Sequence, residues 1–132
     1  MNATILVTGA TGNVGSEVVK ALREKGLLFR AALWKIAEVK TFGLKAEESV
    51  HFDFLDSSTY EEAFKGVNAM FLIRPPALAN PEKEMVPAIS AAQEAGVSHI
   101  VLMSLLGAKN NLFVPHRKIE YLIRASGLSY TL

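Results

Sequence analysis

The stretch of sequence that decides the fold is Ala-Thr-Ile-Leu-Val-Thr-Gly-Ala-Thr-Gly-Asn-Val-Gly, residues 3–15. A short apolar strand runs into three glycines spaced by three, and a helical pattern follows. Gly9 permits a tight turn, Gly12 lets the backbone approach a pyrophosphate, and Gly15 allows the helix to pack closely on the strand. Because the N–H groups and the dipole at a helix start favour negative charge, the stretch predicts a phosphate cradle.

Composition narrows the class of protein. The chain has 132 residues, enough for one domain, and 50% of them are hydrophobic. The net charge is +1, from 14 basic and 13 acidic residues, and no basic cluster indicates a nucleic-acid partner. There is no cysteine, and no metal-ligand spacing links the three histidines, so no metal site is expected. Without a leader pattern or a membrane-length apolar run, we expect a cytoplasmic protein with no membrane partner.

Apolar runs alternate with helical patterns along the chain. Strands are predicted at 3–8, 28–33, 50–54, 67–73, 99–104 and 129–132. A short helix is predicted between the second and third strands, and a capping-box pattern of Ser58 and Glu61 predicts the start of the next helix. Two longer helices follow, one beginning at Asn80 and Pro81 and the other at Pro115.

This alternation predicts an α/β fold with a doubly wound, mostly parallel sheet of order 3-2-1-4-5-6. We interpret residues 1–132 as one dinucleotide-binding Rossmann domain, with its ligand crevice at the carboxyl ends of strands 1 and 4. The sixth strand has barely begun at Leu132, so we interpret the chain as a fragment truncated within that strand, without a C-terminal substrate part. A minimal cofactor domain is the alternative. An unfinished sheet edge would favour a homo-oligomer, but the oligomeric state stays open.

Residues 8–15 resemble the T-G-A-T-G-x-x-G signature of extended and atypical short-chain dehydrogenase/reductases. Residues 51–56, 71–76, 94–101 and 126–131 are similar to stretches of one branch, the NmrA-like family. That family includes NAD(P)H:quinone reductase-like enzymes and redox-sensing regulators. The likeness covers nearly the whole chain but only the N-terminal half of a family member. It implies an NAD(P)-binding Rossmann fold.

The glycine loop supplies the first set of expected cofactor contacts: Gly9, Thr11, Gly12, Asn13 and Val14. About 20 residues past the glycines, an NAD site usually carries an acid that accepts from the ribose 2′-OH.

This chain instead has Arg30 within the second strand and Trp34 and Lys35 after it. Because cations suit a 2′-phosphate, we expect NADP (NADPH) to be preferred, with NAD as the alternative. The NmrA-like pattern carries a basic residue where Trp34 stands. Two interpretations therefore stay open. In the first, one of the two residues contacts the cofactor: Lys35 binds the phosphate, or Trp34 stacks on the adenine. In the second, neither does: Trp34 packs against the protein and Lys35 is solvated.

The resemblance also implies contacts after the third and fourth strands. Asp53 would accept from the adenine amine, with Phe54 beside the ring, although an aspartate here also suits a hydrogen bond to its own loop. The ribose and nicotinamide would be lined by the segment of Leu72, Ile73 and Arg74, in which Arg74 either reaches a phosphate or lies at the rim.

The expected catalytic residues depart from the pattern of typical short-chain reductases, a serine and a Tyr-x-x-x-Lys pair, which the quinone reductase-like members also lack. Ser104 stands at the serine's place, whereas His116 replaces the tyrosine and Glu120 the lysine. His116 is a candidate proton donor near neutral pH, and Lys118 is a candidate to hold the nicotinamide ribose. An ordinary exposed histidine in a first helical turn is the alternative for His116.

Two functions fit these residues. The first is an oxidoreductase that passes hydride from NAD(P)H to a quinone-like or other small electrophilic acceptor. The second is a non-catalytic NAD(P)-binding redox sensor, which the missing Tyr-x-x-x-Lys pair favours. A fragment with the fold but no activity is a third interpretation.

Overall fold

The computed structural model describes residues 4–35, 38–41, 43–73, 84–102 and 129–131. The strands are β1 (Thr4–Val7), β2 (Leu28–Leu33), β3 (Ser49–His51), β4 (Ala69–Leu72), β5 (His99–Leu102) and β6 (Ser129–Thr131). The helices are α1 (Asn13–Glu24), α2 (Glu38–Thr41), α3 (Tyr60–Phe64) and α4 (Val86–Glu94), and short 3₁₀ turns at Ala46–Glu48 and Ser57–Thr59 precede β3 and α3.

The six strands form one sheet in the order β3-β2-β1-β4-β5-β6, and every neighbouring pair is parallel. Val7 at the end of β1 lies opposite Ala31 of β2 and Phe71 of β4. The predicted doubly wound α/β fold and its strand order are confirmed. Because all strands run the same way, the loops after β1, β2 and β4 lie at one end of the sheet.

Alternating side chains of the strands enter two apolar cores. The face that packs against α3 and α4 buries Leu6, Ala32, Met70, Leu72, Ile100 and Leu102. The opposite face packs against α1 through Val7, Ala31 and Leu33. Both faces of the central strands are thus covered, as expected for a buried parallel sheet.

The third strand is shorter than the sequence pattern predicts. The alternation through Phe54 predicted a longer strand, but β3 ends at His51. The Phe52 N–H still donates to the Leu33 carbonyl over 2.9 Å, and β2 ends at Leu33. Beyond that point the neighbouring strand offers no further ladder partner, so the chain turns while Phe52 and Phe54 stay buried.

The predicted capping box before α3 is wrong. Asp56, rather than Ser58, begins the helical turn, and its carboxylate accepts from the Ser58 N–H over 3.0 Å and from the Ser58 hydroxyl over 2.6 Å. Aspartate is as good an N-cap as serine, so the choice depends on where the preceding turn leaves the chain. The predicted helix starts at Asn80 and Pro115 lie outside the described residues.

At the edge of the sheet opposite β3, the side chain of His99 connects β5 to β6. Its Nδ1 lies 2.7 Å from the Ser129 hydroxyl and its Nε2 lies 2.9 Å from the Thr131 hydroxyl. His99 is therefore a strand residue, as expected. None of the helices in the described ranges has the length and apolarity needed to cross a membrane.

Candidate functional site

The loop between β1 and α1 is a tight turn closed by its own backbone. Gly9 adopts a φ of +62°, a left-handed conformation that glycine accepts without strain. The Gly12 N–H donates to the Gly9 carbonyl over 3.0 Å. Gly12 is the N-cap of α1, and the first helical hydrogen bond runs from the Ser16 N–H to the Gly12 carbonyl over 3.0 Å.

Gly15 is the position in this loop that tolerates no side chain. A Cβ atom on Gly15 would lie 1.9 Å from the Gly9 carbonyl oxygen and 2.6 Å from the Gly9 carbonyl carbon. The sequence predicted that Gly15 lets α1 pack on the strand. In the structure the close contact is with the backbone of the preceding turn, so Gly15 fixes the shape of the loop itself.

The outer surface of the loop suits an anion. Gly9, Gly12, Asn13 and Val14 are exposed, and the first turn of α1 contains no acidic residue. The N–H groups of Asn13 and Val14 precede the first intrahelical hydrogen bond, as in helix starts that bind phosphate. The side chains and backbone present here therefore fit the pyrophosphate that the sequence predicts.

Thr8 joins this loop to the segment that follows β4. Its side chain is buried, and its hydroxyl accepts from the Ile73 N–H over 2.8 Å and lies 3.0 Å from the Phe71 carbonyl, to which it donates. The Thr8 N–H also donates to the Phe71 carbonyl over 3.0 Å. These bonds fix Ile73 beside Gly9, where a Cβ on Gly9 would lie 3.4 Å from the Ile73 Cβ. Sequence reasoning did not single out Thr8, although a threonine at the end of an apolar strand was the available signal.

The expected contacts after β4 separate into two kinds. Leu72 is fully buried in the core, so only its backbone can reach a ligand. Ile73 is half-buried at the carboxyl end of the sheet. Arg74 lies outside the described residues, as do the expected catalytic residues Ser104, His116 and Lys118.

Trp34 and Lys35 form the corner at the carboxyl end of β2. The Trp34 side chain is 65% exposed, and the Lys35 Nζ lies 5.3 Å from the centre of its ring. The interpretation that Trp34 packs into the protein is therefore wrong. Both side chains remain available at the end of the sheet where the glycine loop lies.

Arg30 has different partners from those the sequence suggested. One guanidinium nitrogen, Nη1, donates to the carbonyls of Ala63 and Lys65 over 2.8 Å and lies 3.3 Å from that of Glu62. A cation at the carbonyl end of a helix satisfies acceptors that have no helical partner. Arg30 thus holds the end of α3 against β2. Lys35 lies two residues past the end of β2 in the sequence.

The turn after β3 is held by its own polar groups. The Asp53 carboxylate accepts from the Leu55 N–H over 2.9 Å, so Asp53 does hydrogen-bond its own loop. The Asp53 N–H donates to the Thr59 hydroxyl over 3.1 Å. Phe54 is buried, and its ring packs edge-on against Phe52 with centroids 4.7 Å apart. Any contact of Phe54 with a ligand would therefore come from its backbone.

Comparison with known proteins identifies the family. Residues 9–132 match the model of a family described as NAD(P)H-binding. The chain belongs to this NAD(P)H-binding family. The NmrA-like resemblance of the sequence is also confirmed by the structural neighbours.

Two curated relatives of this NAD(P)H-binding domain share about a third of its residues. Prestalk A differentiation protein A of Dictyostelium discoideum is 36% identical over 132 residues, covering 98% of the chain and 43% of the relative. An NAD(P)H azoreductase of Xenophilus azovorans is 35% identical over 105 residues, covering 79% of the chain and 36% of the relative. The chain therefore spans less than half the length of these relatives.

Two solved structures with bound cofactor have the same fold. An NADPH-dependent quinone oxidoreductase of Escherichia coli, complexed with NADPH, superimposes with a TM-score of 0.81 at 26% identity, over 96% of this chain and 46% of that one. A triphenylmethane reductase of Citrobacter sp., complexed with NADP(H), gives 0.80 at 25% identity, over 97% of this chain and 47% of that one.

Proposed function

We propose that this chain is the cofactor-binding part of an NAD(P)H-dependent oxidoreductase that transfers hydride to a quinone-like or other small electrophilic acceptor. The observation that carries the proposal is the glycine loop, whose exposed backbone and acid-free first turn fit a pyrophosphate. The quinone oxidoreductase and the azoreductase among the similar proteins support the reaction class.

The chain's own residues would bind and orient the dinucleotide. When bound, NADPH supplies hydride from its nicotinamide, and the protein supplies position and electrostatics. The Asp53 carboxylate, beyond the bond to its own loop, would accept from the adenine amine. The pyrophosphate, ribose and nicotinamide contacts are assigned to Gly9, Thr11, Gly12, Asn13, Val14, Leu72, Ile73 and Arg74.

We assign NADPH ahead of NADH because of the charge at the end of β2. The first acidic residue after that strand is Glu38, whereas Lys35 stands at the corner itself. A cation beside the ribose favours a 2′-phosphate through charge-assisted hydrogen bonds. Of the two cations expected here, Lys35 is the one assigned to the phosphate, because Arg30 is already bonded to the end of α3.

The proton that accompanies hydride transfer is assigned to His116, with Lys118 on the nicotinamide ribose and Ser104 beside the acceptor. Imidazole is a suitable donor because its pKa lies near neutrality. We expect His116→Ala to lower the rate of NADPH oxidation about a hundredfold, the lower end of what a general acid contributes.

The test is NADPH oxidation with a panel of quinones, beside calorimetric titration of NADPH and NADH. Lys20→Ala, on the exposed side of α1, is the control for a general effect of substitution. Turnover that survives His116→Ala at the parent rate would remove His116 from the mechanism. No heat of binding with either nucleotide would overturn the proposal.

A second candidate function is a redox sensor that binds the dinucleotide without turnover. The observation that favours it is the pair His116 and Glu120, which stand where typical short-chain reductases carry tyrosine and lysine. Tight NADPH binding with no oxidation by any acceptor of the panel would support the sensor over the enzyme.

A further inference from the structure

The strand β3 stands at one edge of the sheet, and its outer side is open. It pairs with β2 on its inner side, and no strand within the described ranges pairs with it on the other. The Phe52 N–H, one residue past the strand, donates to the Leu33 carbonyl of β2. Because successive residues of a strand direct their backbone groups to opposite sides, the N–H and carbonyl of His51 are directed away from β2.

The outward backbone groups of β3 include one donor that is still available. The Ser49 N–H donates to the Ala46 carbonyl, so it is already used. The His51 residue is exposed, and its N–H has no acceptor among the residues that the structure describes. An added strand could therefore exchange both backbone hydrogen bonds with His51 and donate a third to the Ser49 carbonyl.

An open groove of about 570 Å³ runs beside this edge. All three residues of β3 line it, together with side chains of β2 and of the end of α3. Its lysine, arginine and glutamate side chains are three cations and one carboxylate: Arg30, Lys35, Lys65 and Glu62. The groove therefore favours a ligand with negative charge.

The two ends of the groove have different cations. Lys35 follows β2, where the cofactor's phosphate is proposed to bind, whereas Arg30 lies five residues earlier, about 16 Å along an extended strand. The Lys65 carbonyl accepts from Arg30, which places Lys65 at the Arg30 end. Lys65 is exposed, and neither it nor Arg30 is ion-paired within the described ranges, where the ion pair found joins Arg23 to Glu48.

The combination of an open edge and positive charge selects among possible occupants. A small anion would use the cations but not the backbone of β3, whereas an extended peptide uses both. A second copy paired through its own β3 would bring two basic grooves together, which like charges disfavour. We propose that the open edge of β3 binds an extended acidic segment of a partner protein as an added strand, with its carboxylates beside Lys65 and Arg30. This proposal does not depend on the function proposed above.

The test uses a fluorescein-labelled synthetic peptide of about eight residues that alternates glutamate with valine, longer than a typical strand. Its fluorescence anisotropy should rise to saturation as the protein is added. The same peptide with lysine in place of glutamate should not bind. A third peptide, N-methylated along one edge, keeps every charge but loses the backbone donors, and it should bind about tenfold more weakly.

Variants of the protein test the same contacts from the other side. His51→Pro removes the outward N–H, and proline is tolerated in an edge strand where the N–H faces solvent. It should weaken the peptide about tenfold, whereas His51→Ala keeps the N–H and should retain most of the affinity. Lys65→Met should weaken the peptide about threefold, and Lys20→Met on the exposed side of α1 should have no effect. Circular dichroism checks that His51→Pro is folded.

Each contrary result would overturn the proposal in a different way. No binding of the glutamate peptide would remove the docking site. Equal binding of the N-methylated peptide, or of polyphosphate, would mean that charge alone is recognised. A dimer in sedimentation that His51→Pro dissociates would make a second copy the occupant. NADPH titration of the same protein tests the proposed function separately, because a chain that binds the peptide but no nucleotide would overturn that function and support this site.

Discussion

The glycine loop and the Trp34–Lys35 corner each follow the carboxyl end of a strand, but the protein holds them in different ways. The loop is fixed by backbone contacts, with no room for a Cβ on Gly15 and with Thr8 bonded across to Ile73. The corner is an exposed ring with a lysine beside it. On the function proposed above, the loop would supply the geometry common to dinucleotide sites, whereas the choice between dinucleotides would depend on two exposed side chains.

The largest expected effect is that of Gly15→Ala, which would disrupt the backbone contacts of the glycine loop. The new methyl group would lie 1.9 Å from the Gly9 carbonyl oxygen, a backbone atom that cannot move aside as the end of a flexible side chain could. We expect the free energy of unfolding to fall by about 3 kcal/mol or more, at the upper end of overpacking effects. Urea unfolding followed by circular dichroism measures this change.

The control for Gly15→Ala is Gly26→Ala. Unlike Gly15, which lies within α1, Gly26 has a positive φ, +68°, and no atom lies within 4 Å of the Cβ it would gain. We expect about 1 kcal/mol of destabilisation from the left-handed backbone alone. Equal losses in the two variants would mean that the loop is not closely packed against α1.

The second prediction concerns Thr8, which connects the loop to β4. Thr8→Val keeps the shape of the side chain but leaves the Ile73 N–H without its acceptor, at a cost of about 2 kcal/mol. Thr8→Ser keeps the hydroxyl and loses only a methyl group, at a cost of about 1 kcal/mol. Unfolding by urea compares the two. A serine variant less stable than the valine variant would contradict a role for the hydroxyl bonds.

How much the sequence could predict depends on whether a feature is set by a local pattern or by contacts between distant segments. The strand order, the start of α1 and the glycine turn follow from local patterns that a whole family shares. The partners of Arg30 depend on where α3 meets β2, between residues 33 and 35 positions apart in the sequence. The end of β3 depends on where β2 ends. No local pattern contains either piece of information. Thr8 is an intermediate case, because the motif names the residue but only the fold shows that its hydroxyl binds Ile73.

A third prediction concerns the turn that follows β3, next to the corner. The Tyr60 hydroxyl donates to the Phe54 carbonyl, and Tyr60 is buried. Tyr60→Phe should lose about 1 kcal/mol of stability at neutral pH, the usual net value of a hydrogen bond. Thermal unfolding measures the difference between parent and variant.

The pH dependence of that difference has a definite sign. Burial of the phenol, with the nearby charges of Asp53 and Asp56, raises the pKa of Tyr60 above its ordinary 10.0. The neutral form is thus favoured in the folded chain, and its contribution is complete below pH 10.0 and lost as the pH rises through the folded pKa. The advantage of the parent over Tyr60→Phe should therefore shrink at alkaline pH. A constant advantage would contradict the burial of the hydroxyl.

The smallest expected effect is at Asp56, which begins the turn before α3 on the exposed surface. The hydroxyl and the N–H of Ser58 both donate to its carboxylate, and they hold the pKa of Asp56 below its ordinary 3.8. The ionised form therefore stabilises the fold above pH 3.8, and this contribution is lost as the pH falls through the lower folded pKa.

Asp56→Asn keeps an acceptor for the cap but removes the charge. We expect a slightly lower melting temperature than the parent at neutral pH and no difference in acid. Ser58→Ala removes one donor and should reduce the same pH-dependent part of the stability. A difference in melting temperature for Asp56→Asn that persists unchanged into acid would show that the charge of Asp56 contributes nothing to the cap.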